Sequence, residues 1–211
     1  MLLTVVDYGV GNLRSIAKSI EKANSDNNLN YSVKVSSDIN DVKKSDKIVL
    51  PGQGSFKACK AGIDNIEGLQ IELNESALIK KKPIYGICAG MQLFATRGHE
   101  ERTTEGLNWI PGEVNKLDSG SSKLKIPHMG WNELKIKNSS KVFQDINNND
   151  HAYFIHSYEF IPKDQTVISL TSNYGKEVMA AVSLENIFGS QFHPEKSQIT
   201  GIKILTNFLN L

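Results

Sequence analysis

The segment that most constrains this chain is Gly86-Ile87-Cys88-Ala89-Gly90. A short apolar run over residues 83–88 leads into it, and Met91-Gln92-Leu93-Phe94 opens a helical pattern on the far side. Glycines two residues either side of a potential nucleophile permit a sharp strand-to-helix turn with close backbone approach. In an open α/β sheet such a turn lies at the carboxyl end of a strand, where ligands bind. It would put the Cys88 sulfur at a helix N-terminus, where the backbone dipole favours thiolate. A free thiol with a pKa of about 8.5 is only a few per cent thiolate at pH 7, so that placement matters. The bland alternative for Cys88 is a small buried hydrophobe.

The surrounding chain fits that setting. Apolar runs at residues 2–6, 31–35, 48–50 and 83–88 alternate with helical spacing at Leu13, Ile16, Ala17, Ile20 and Ala23, and again over 69–80. This alternation predicts a parallel sheet covered on both faces. Further on, strand candidates crowd together at 114–117, 134–136, 153–155, 167–170, 178–184 and 187–192. A closing amphipathic helix follows, carrying Ile199, Ile202, Leu205, Phe208 and Leu209. The predicted fold is α/β, flavodoxin-like and doubly wound. It has a mostly parallel central sheet, an antiparallel extension and helices on both faces. No repeat or linker interrupts the sequence, so one domain over residues 1–211 is expected. A core of that size buries roughly 70% of the unfolded chain's surface without a disulfide or metal staple.

Composition excludes other classes. Lys plus Arg is 24 and Asp plus Glu is 23, a net charge of +1, which lacks the basic excess of a nucleic-acid binder. No apolar run approaches the ~20 residues of a membrane span. The start, MLLTVVDYG, has no basic leader and reads as a first strand, so a cytoplasmic protein is expected. Two cysteines, Cys59 and Cys88, make no disulfide framework, and neither a metal nor a cofactor is expected.

A cysteine nucleophile needs a base and a group to orient it. Ser190-Gln191-Phe192-His193-Pro194-Glu195-Lys196-Ser197 follows a strand-like run. In an extended segment the side chains of His193 and Glu195, two apart, leave on the same side, and the carboxylate could fix the imidazole tautomer. Alone, the pair would read as a surface ion pair. With the Cys88 turn in the same α/β domain, the triad reading is the more specific. An oxyanion hole, worth about 3–4 kcal/mol per donor where probed, would take one amide from Ala89. The other would come from Leu50-Pro51-Gly52-Gln53-Gly54-Ser55, through Gly52 or Gln53. The bland alternative there is an ordinary strand-to-loop turn.

These residues resemble the class I, triad-type glutamine amidotransferases and, more narrowly, the glutaminase subunits of imidazole glycerol phosphate synthases. The resemblance rests on Gly86 to Gln92, His193 to Ser197 and the Leu50-Pro51-Gly52-Gln53-Gly54-Ser55-Phe56 segment. It also rests on Asp7-Tyr8-Gly9-Val10-Gly11-Asn12-Leu13-Arg14-Ser15, Pro127-His128-Met129-Gly130-Trp131-Asn132 and Tyr153-Phe154-Ile155-His156-Ser157-Tyr158. It covers the whole chain.

The resemblance implies hydrolysis of glutamine to glutamate and ammonia. Cys88 would attack the amide, His193 would shuttle the proton and Glu195 would orient His193. Gly54, Gln92, Glu100, Ser157 and Tyr158 would hold glutamine. It further implies a (β/α)8-barrel cyclase as heterodimer partner, making imidazole glycerol phosphate and aminoimidazole carboxamide ribotide in histidine biosynthesis. Asn12, Met129, Trp131, Tyr153 and Lys196 would lie at the interface or ammonia passage, although Trp131 and Tyr153 also suit core packing. The family trait of low activity without a loaded partner implies that the Pro51 to Gly54 peptide reorients on activation. Residues 95–101 and 105–112 resemble instead paralogues found with surface-polysaccharide enzymes, where ammonia goes to acetamidino-sugars. The acceptor therefore stays open, as do a cysteine-elbow hydrolase and a silent partner-binding module.

Overall fold

The computed structural model describes residues 1–120 and 124–211. In chain order the first elements are β1 (Leu2–Val6), α1 (Leu13–Asp26), β2 (Ser32–Ser36), α2 (Ile39–Lys44), β3 (Lys47–Leu50), α3 (Phe56–Asp64), α4 (Leu69–Asn74), β4 (Ile84–Ile87) and α5 (Ala89–Gln92). Then come β5 (Arg97–Glu100), β6 (Arg102–Glu105), β7 (Gly112–Lys116), β8 (His128–Glu133), β9 (Lys135–Ile136), β10 (His151–His156) and β11 (Tyr158–Pro162). The chain closes with β12 (Ile168–Asn173), β13 (Glu177–Leu184), β14 (Ile187–Ser190) and α6 (Gln198–Leu209).

Eight strands form the main sheet in the order β2-β1-β3-β4-β14-β13-β12-β9. The first five run parallel and the last three continue antiparallel, as the predicted fold class requires. Every residue of β3, β4 and β14 is buried, which is why these strands read as mostly apolar runs without polar alternation. Their side chains alternate between two apolar layers. Val5, Val49, Tyr85 and Ile87 face α1 and α6, while Val6, Ile48, Leu50 and Ile84 face α3 and α4.

The sequence reading grouped all the later strands into one extension. Only β13, β12 and β9 extend the sheet. A second sheet has the order β11-β7-β5-β6, and β8 pairs with β10 as a two-stranded ribbon. The expected helix over 69–80 also divides, α4 giving way to a π-helical turn at Glu75–Ile79.

α6 is anchored at its end by Lys47. The buried ammonium donates to the carbonyls of Phe208 (2.7 Å) and Leu209 (3.0 Å), and burial pushes its pKa down to about 8. Phe208 itself is fully buried, with Tyr85 and Phe188 against its ring. Phe208→Ala is expected to cost about 3–5 kcal/mol of unfolding free energy, read from the urea midpoint at constant slope. Among the described residues no helix is long and apolar enough to cross a membrane.

Candidate active site

β4 and β14 are parallel neighbours, with Gly86 opposite Gly189 and Ile87 opposite Ser190. The sheet therefore delivers the ends of both strands to one place. Cys88 follows β4 directly, its amide donating to the Ser190 carbonyl at 2.7 Å. Its φ of 52° and ψ of −115° are a conformation that L residues rarely adopt. The surroundings over-determine it, a pattern found where backbone strain serves a site. The helix that follows is only one turn long. A macrodipole argument is therefore weaker than the sequence suggested, and the free amides of that turn matter more.

His193 comes three residues after β14 and is held by its own amide donating to the Tyr153 carbonyl at 3.0 Å. The sequence reading expected an extended His193 to Glu195 segment kept out of a helix by proline. Instead Pro194–Lys196 forms a 3₁₀ turn with Pro194 at its start, a position proline favours because no amide is needed there. The turn brings the Glu195 carboxylate back to 2.8 Å from His193 Nδ1. Both side chains are nearly inaccessible, at 7% and 1% exposure. Burial opposes charge on the imidazole. Hydrogen bonds and negative charge from Cys88 and Glu195 outweigh it and raise the His193 pKa to about 10.

Cys59 is the other thiol, and it is equally free. It is fully buried under the Pro51 to Gly54 segment, with Sγ 3.8 Å from the Gln53 carbonyl. Burial first, then charge at Cys88, push its thiol up to about 12. Only Cys88 combines a cleft with an adjacent imidazole.

That cleft has a volume of about 300 Å³. Cys88, His193, Gln53, Gly54, Ala89, Gln92, Glu100, Ser157, Tyr158 and Lys196 all line it. Gly52 lies beneath, where an added Cβ would stand 1.9 Å from the Gly90 nitrogen. Glu195 is behind His193. Gln92 is committed: its Nε2 donates to the Tyr158 carbonyl (3.0 Å) and to Gln191 Oε1 (2.8 Å), leaving only Oε1 for a ligand. One oxygen of Glu100 accepts from the Phe56 amide at 2.7 Å, at the start of α3. A wider groove of about 1130 Å³ between α1 and α6 contains neither cysteine nor histidine. Among the described residues no cluster of three or more His, Cys, Asp and Glu side chains could hold a metal ion.

The remaining named residues lie on or near the ribbon, except one. Met129 and Trp131 are exposed on β8. Trp131 pairs across to Tyr153, whose ring carries Lys196 Nζ at 5.6 Å from its centroid. Asn12 is elsewhere, capping α1 with its side-chain oxygen on the Ser15 amide. Sequence reasoning did not single out Gln191, whose Nε2 lies 3.5 Å from Cys88 Sγ, or His156, which lines the cleft. Gln191 lies beside Phe192-His193 and His156 beside Ser157-Tyr158, but nothing in the pattern says which way they face.

With this geometry in hand, similarity to known proteins is informative. Residues 4–211 match the family described as glutamine amidotransferase class-I. The chain belongs to the class I glutamine amidotransferase family and is an amidotransferase enzyme. It is 50% identical over 211 residues to the imidazole glycerol phosphate synthase subunit HisH of Pelagibacter ubique (strain HTCC1062), covering 100% of each chain. The HisH subunit of Brucella suis biovar 1 (strain 1330) is 41% identical, with 99% of this chain and 98% of that one covered. A solved glutamine amidotransferase superposes with a TM-score of 0.72 at 14% identity, covering 99% of both chains. A second, from Thermotoga maritima, gives 0.59 at 16% identity, with 92% of this chain and 76% of that one covered. At those identities the two structures speak for the fold.

Proposed function

We propose that this chain is the glutaminase subunit of an imidazole glycerol phosphate synthase. The observation that carries the reading is the meeting of Cys88 and His193 in one cleft against the Gln53–Gly54 backbone, with Glu195 behind His193 on its Nδ1. This occurs in a chain that aligns end to end with HisH subunits.

Cys88 Sγ attacks the side-chain carbonyl carbon of glutamine. Charge developing on the oxygen is met by the Ala89 amide and by an amide of the Gly52-Gln53-Gly54 segment. Imidazolium at His193 is the form favoured at neutral pH, so it can protonate the departing nitrogen as the C–N bond breaks. A glutamyl thioester and ammonia result. His193, now neutral, takes a proton from water as that water attacks the thioester, releasing glutamate and the sulfur as thiolate and restoring the thiolate–imidazolium pair. Glu195 holds Nδ1 and fixes the ring. The acceptors left at Gln92 Oε1 and Glu100 suit the ammonium of the substrate, and Ser157 and Tyr158 close the cleft.

Ammonia released into neutral water is largely protonated and no longer nucleophilic, so the reaction calls for a partner that receives it directly. A (β/α)8-barrel cyclase in a heterodimer fits that need, in the cytoplasm. The exposed apolar side chains of Met129 and Trp131, with Tyr153, Lys196 and Asn12, are our candidates for the docking face and passage. Glutamate release should be measured for the chain alone and with a histidine-pathway cyclase bearing its nucleotide ligand. Strong stimulation by the loaded cyclase is expected. Turnover indifferent to it would overturn the synthase reading. Glu195→Gln is expected to lower kcat by about 10²- to 10⁴-fold with KM little changed, because orientation of His193 is lost while substrate contacts stay. Steady-state kinetics on the complex checks this.

A further inference from the structure

Two buried histidines have no part in the chemistry above. His128 opens β8, and His156 ends β10 directly opposite it. On this ribbon the side chains alternate: Met129, Trp131 and Ile155 face outward, while His128, Asn132, Phe154 and His156 face inward. We propose that His128 and His156 are positioning residues that join the inner face of β8, the strand whose other face carries Met129 and Trp131, to the catalytic cleft through a chain of hydrogen bonds. This rests on the glutaminase reading of the cleft.

The protons can be assigned from partners whose roles are fixed. His156 Nδ1 lies 2.9 Å from the Tyr158 carbonyl, which only accepts, so Nδ1 carries the proton and Nε2 is an acceptor. His128 Nδ1 is 3.0 Å from that Nε2 and therefore donates. His128 Nε2 is then left to accept, and Asn132 Nδ2 meets it at 3.0 Å. The Asn132 amide is itself fixed, since Nδ2 also donates to the Asn173 carbonyl (2.9 Å) and Oδ1 accepts from the Glu133 amide (2.8 Å). Phe154 and Tyr174 stack on His128 at 4.5 and 4.0 Å and hold its plane. Every ring nitrogen is satisfied with both rings neutral. Burial keeps them so, pushing His128 down to about 4 and His156 to about 3.

The chain continues into the site. The Tyr158 carbonyl that His156 meets also accepts from Gln92, Gln92 donates to Gln191, and Gln191 reaches the Cys88 sulfur. Donors converge on the Tyr158 carbonyl from both sides, so no proton can pass through it. The chain transmits position, not charge. Displacement of β8 by a docked partner would move Tyr158 and Gln92 against the substrate, since neither can shift without leaving a buried polar atom unpaired.

The test has two parts. In uniformly ¹⁵N-histidine-labelled protein at pH 7, both rings should appear as the Nδ1–H tautomer, the minority form of free histidine. An Nε2–H or imidazolium signal from either would overturn the relay. Asn132→Asp keeps the side-chain shape but removes the donor, so the His128 proton should move to Nε2 and the link to His156 break. In the complex with the loaded cyclase, we expect partner stimulation to fall at least tenfold with partner affinity within threefold. Unchanged stimulation would overturn the proposal. The tautomer measurement needs no variant, so it stands if Asn132→Asp folds poorly. Failure of the wild-type chain to hydrolyse glutamine would instead sink the glutaminase reading and leave the tautomers as found.

Discussion

Cys88→Ala is expected to lower glutamine turnover by about 10⁴-fold or more, since the nucleophile and its base act as a unit. Partner binding should survive, because Cys88 is buried at the end of β4 whereas Met129 and Trp131 are exposed on β8. The same variant makes a second, sharper demand. Burial works against charge on His193, and Cys88 leads the influences that favour it. Without the sulfur, burial gains and the His193 pKa must fall from about 10, with only Glu195 supporting the charged ring. A folded-state pKa above the unfolded value of about 6.5 means that ring protonation stabilises the fold fully below about pH 6.5. That contribution is lost as pH rises through about 10, so the variant should lose it at a lower pH than the parent. Histidine proton shifts followed by NMR, together with urea midpoints across pH 6 to 10, test both statements. Retained turnover, or an unmoved His193 titration, would remove Cys88 from the triad.

Much of this was legible in the sequence, for identifiable reasons. β1, β3, β4 and β14 are buried on both faces, so burial itself wrote them as short apolar runs. α1 carries a clean stripe of Ile16, Ala17, Ile20 and Ala23. The turn around Cys88 was readable because its glycines are demanded by backbone proximity. α3 was not read, although Ser55 caps it and Phe56, Cys59 and Ile63 share a face. Lys57, Lys60 and Gly62 hid the stripe, and Lys60 proves to be largely buried, paired with Asp64. β5, β6 and β8 were invisible because their strands are set by pairing at a polar edge, not by apolar alternation.

Within residues 95–101 and 105–112, which set this chain apart from its resemblance, several positions are committed to packing or capping. Trp109 stacks on Phe94 and donates to Asn74 Oδ1 at 2.8 Å. Gly98 lies against the Phe56 ring and Glu100 caps α3. These roles shape one wall of the cleft and say nothing about where ammonia goes. The full-length match to HisH subunits, at 50% and 41% identity, favours the histidine-pathway acceptor. What the sequence could not disclose was orientation: which way Gln191 and His156 face follows from strand neighbours far away in the chain.

Gly90→Ala should be among the more damaging single-carbon changes in the molecule. An ideal Cβ at Gly90 would lie 2.1 Å from the Leu50 carbonyl oxygen and 2.7 Å from that of Pro51, both backbone atoms that no rotamer change can move aside. Gly52 faces it from the other side with an equally close approach. Relief requires the exit of β3 to withdraw from the turn after β4, carrying Gln53 and Gly54 with it. Overpacking typically costs about 1–3 kcal/mol where side chains can adjust. With backbone on both sides, a loss of roughly 3 kcal/mol or more is expected, together with at least a ~10²-fold fall in glutaminase activity as the second oxyanion amide moves away. Gly54→Ala is the control. Nothing lies within 4 Å of its Cβ, but its φ of 104° strains any side chain, at a cost of about 1–2 kcal/mol. Urea denaturation and initial rates on both variants should rank Gly90→Ala well below Gly54→Ala in stability and in turnover. Equal effects would mean that backbone conformation alone governs this loop, and that the contact between the two glycines is dispensable.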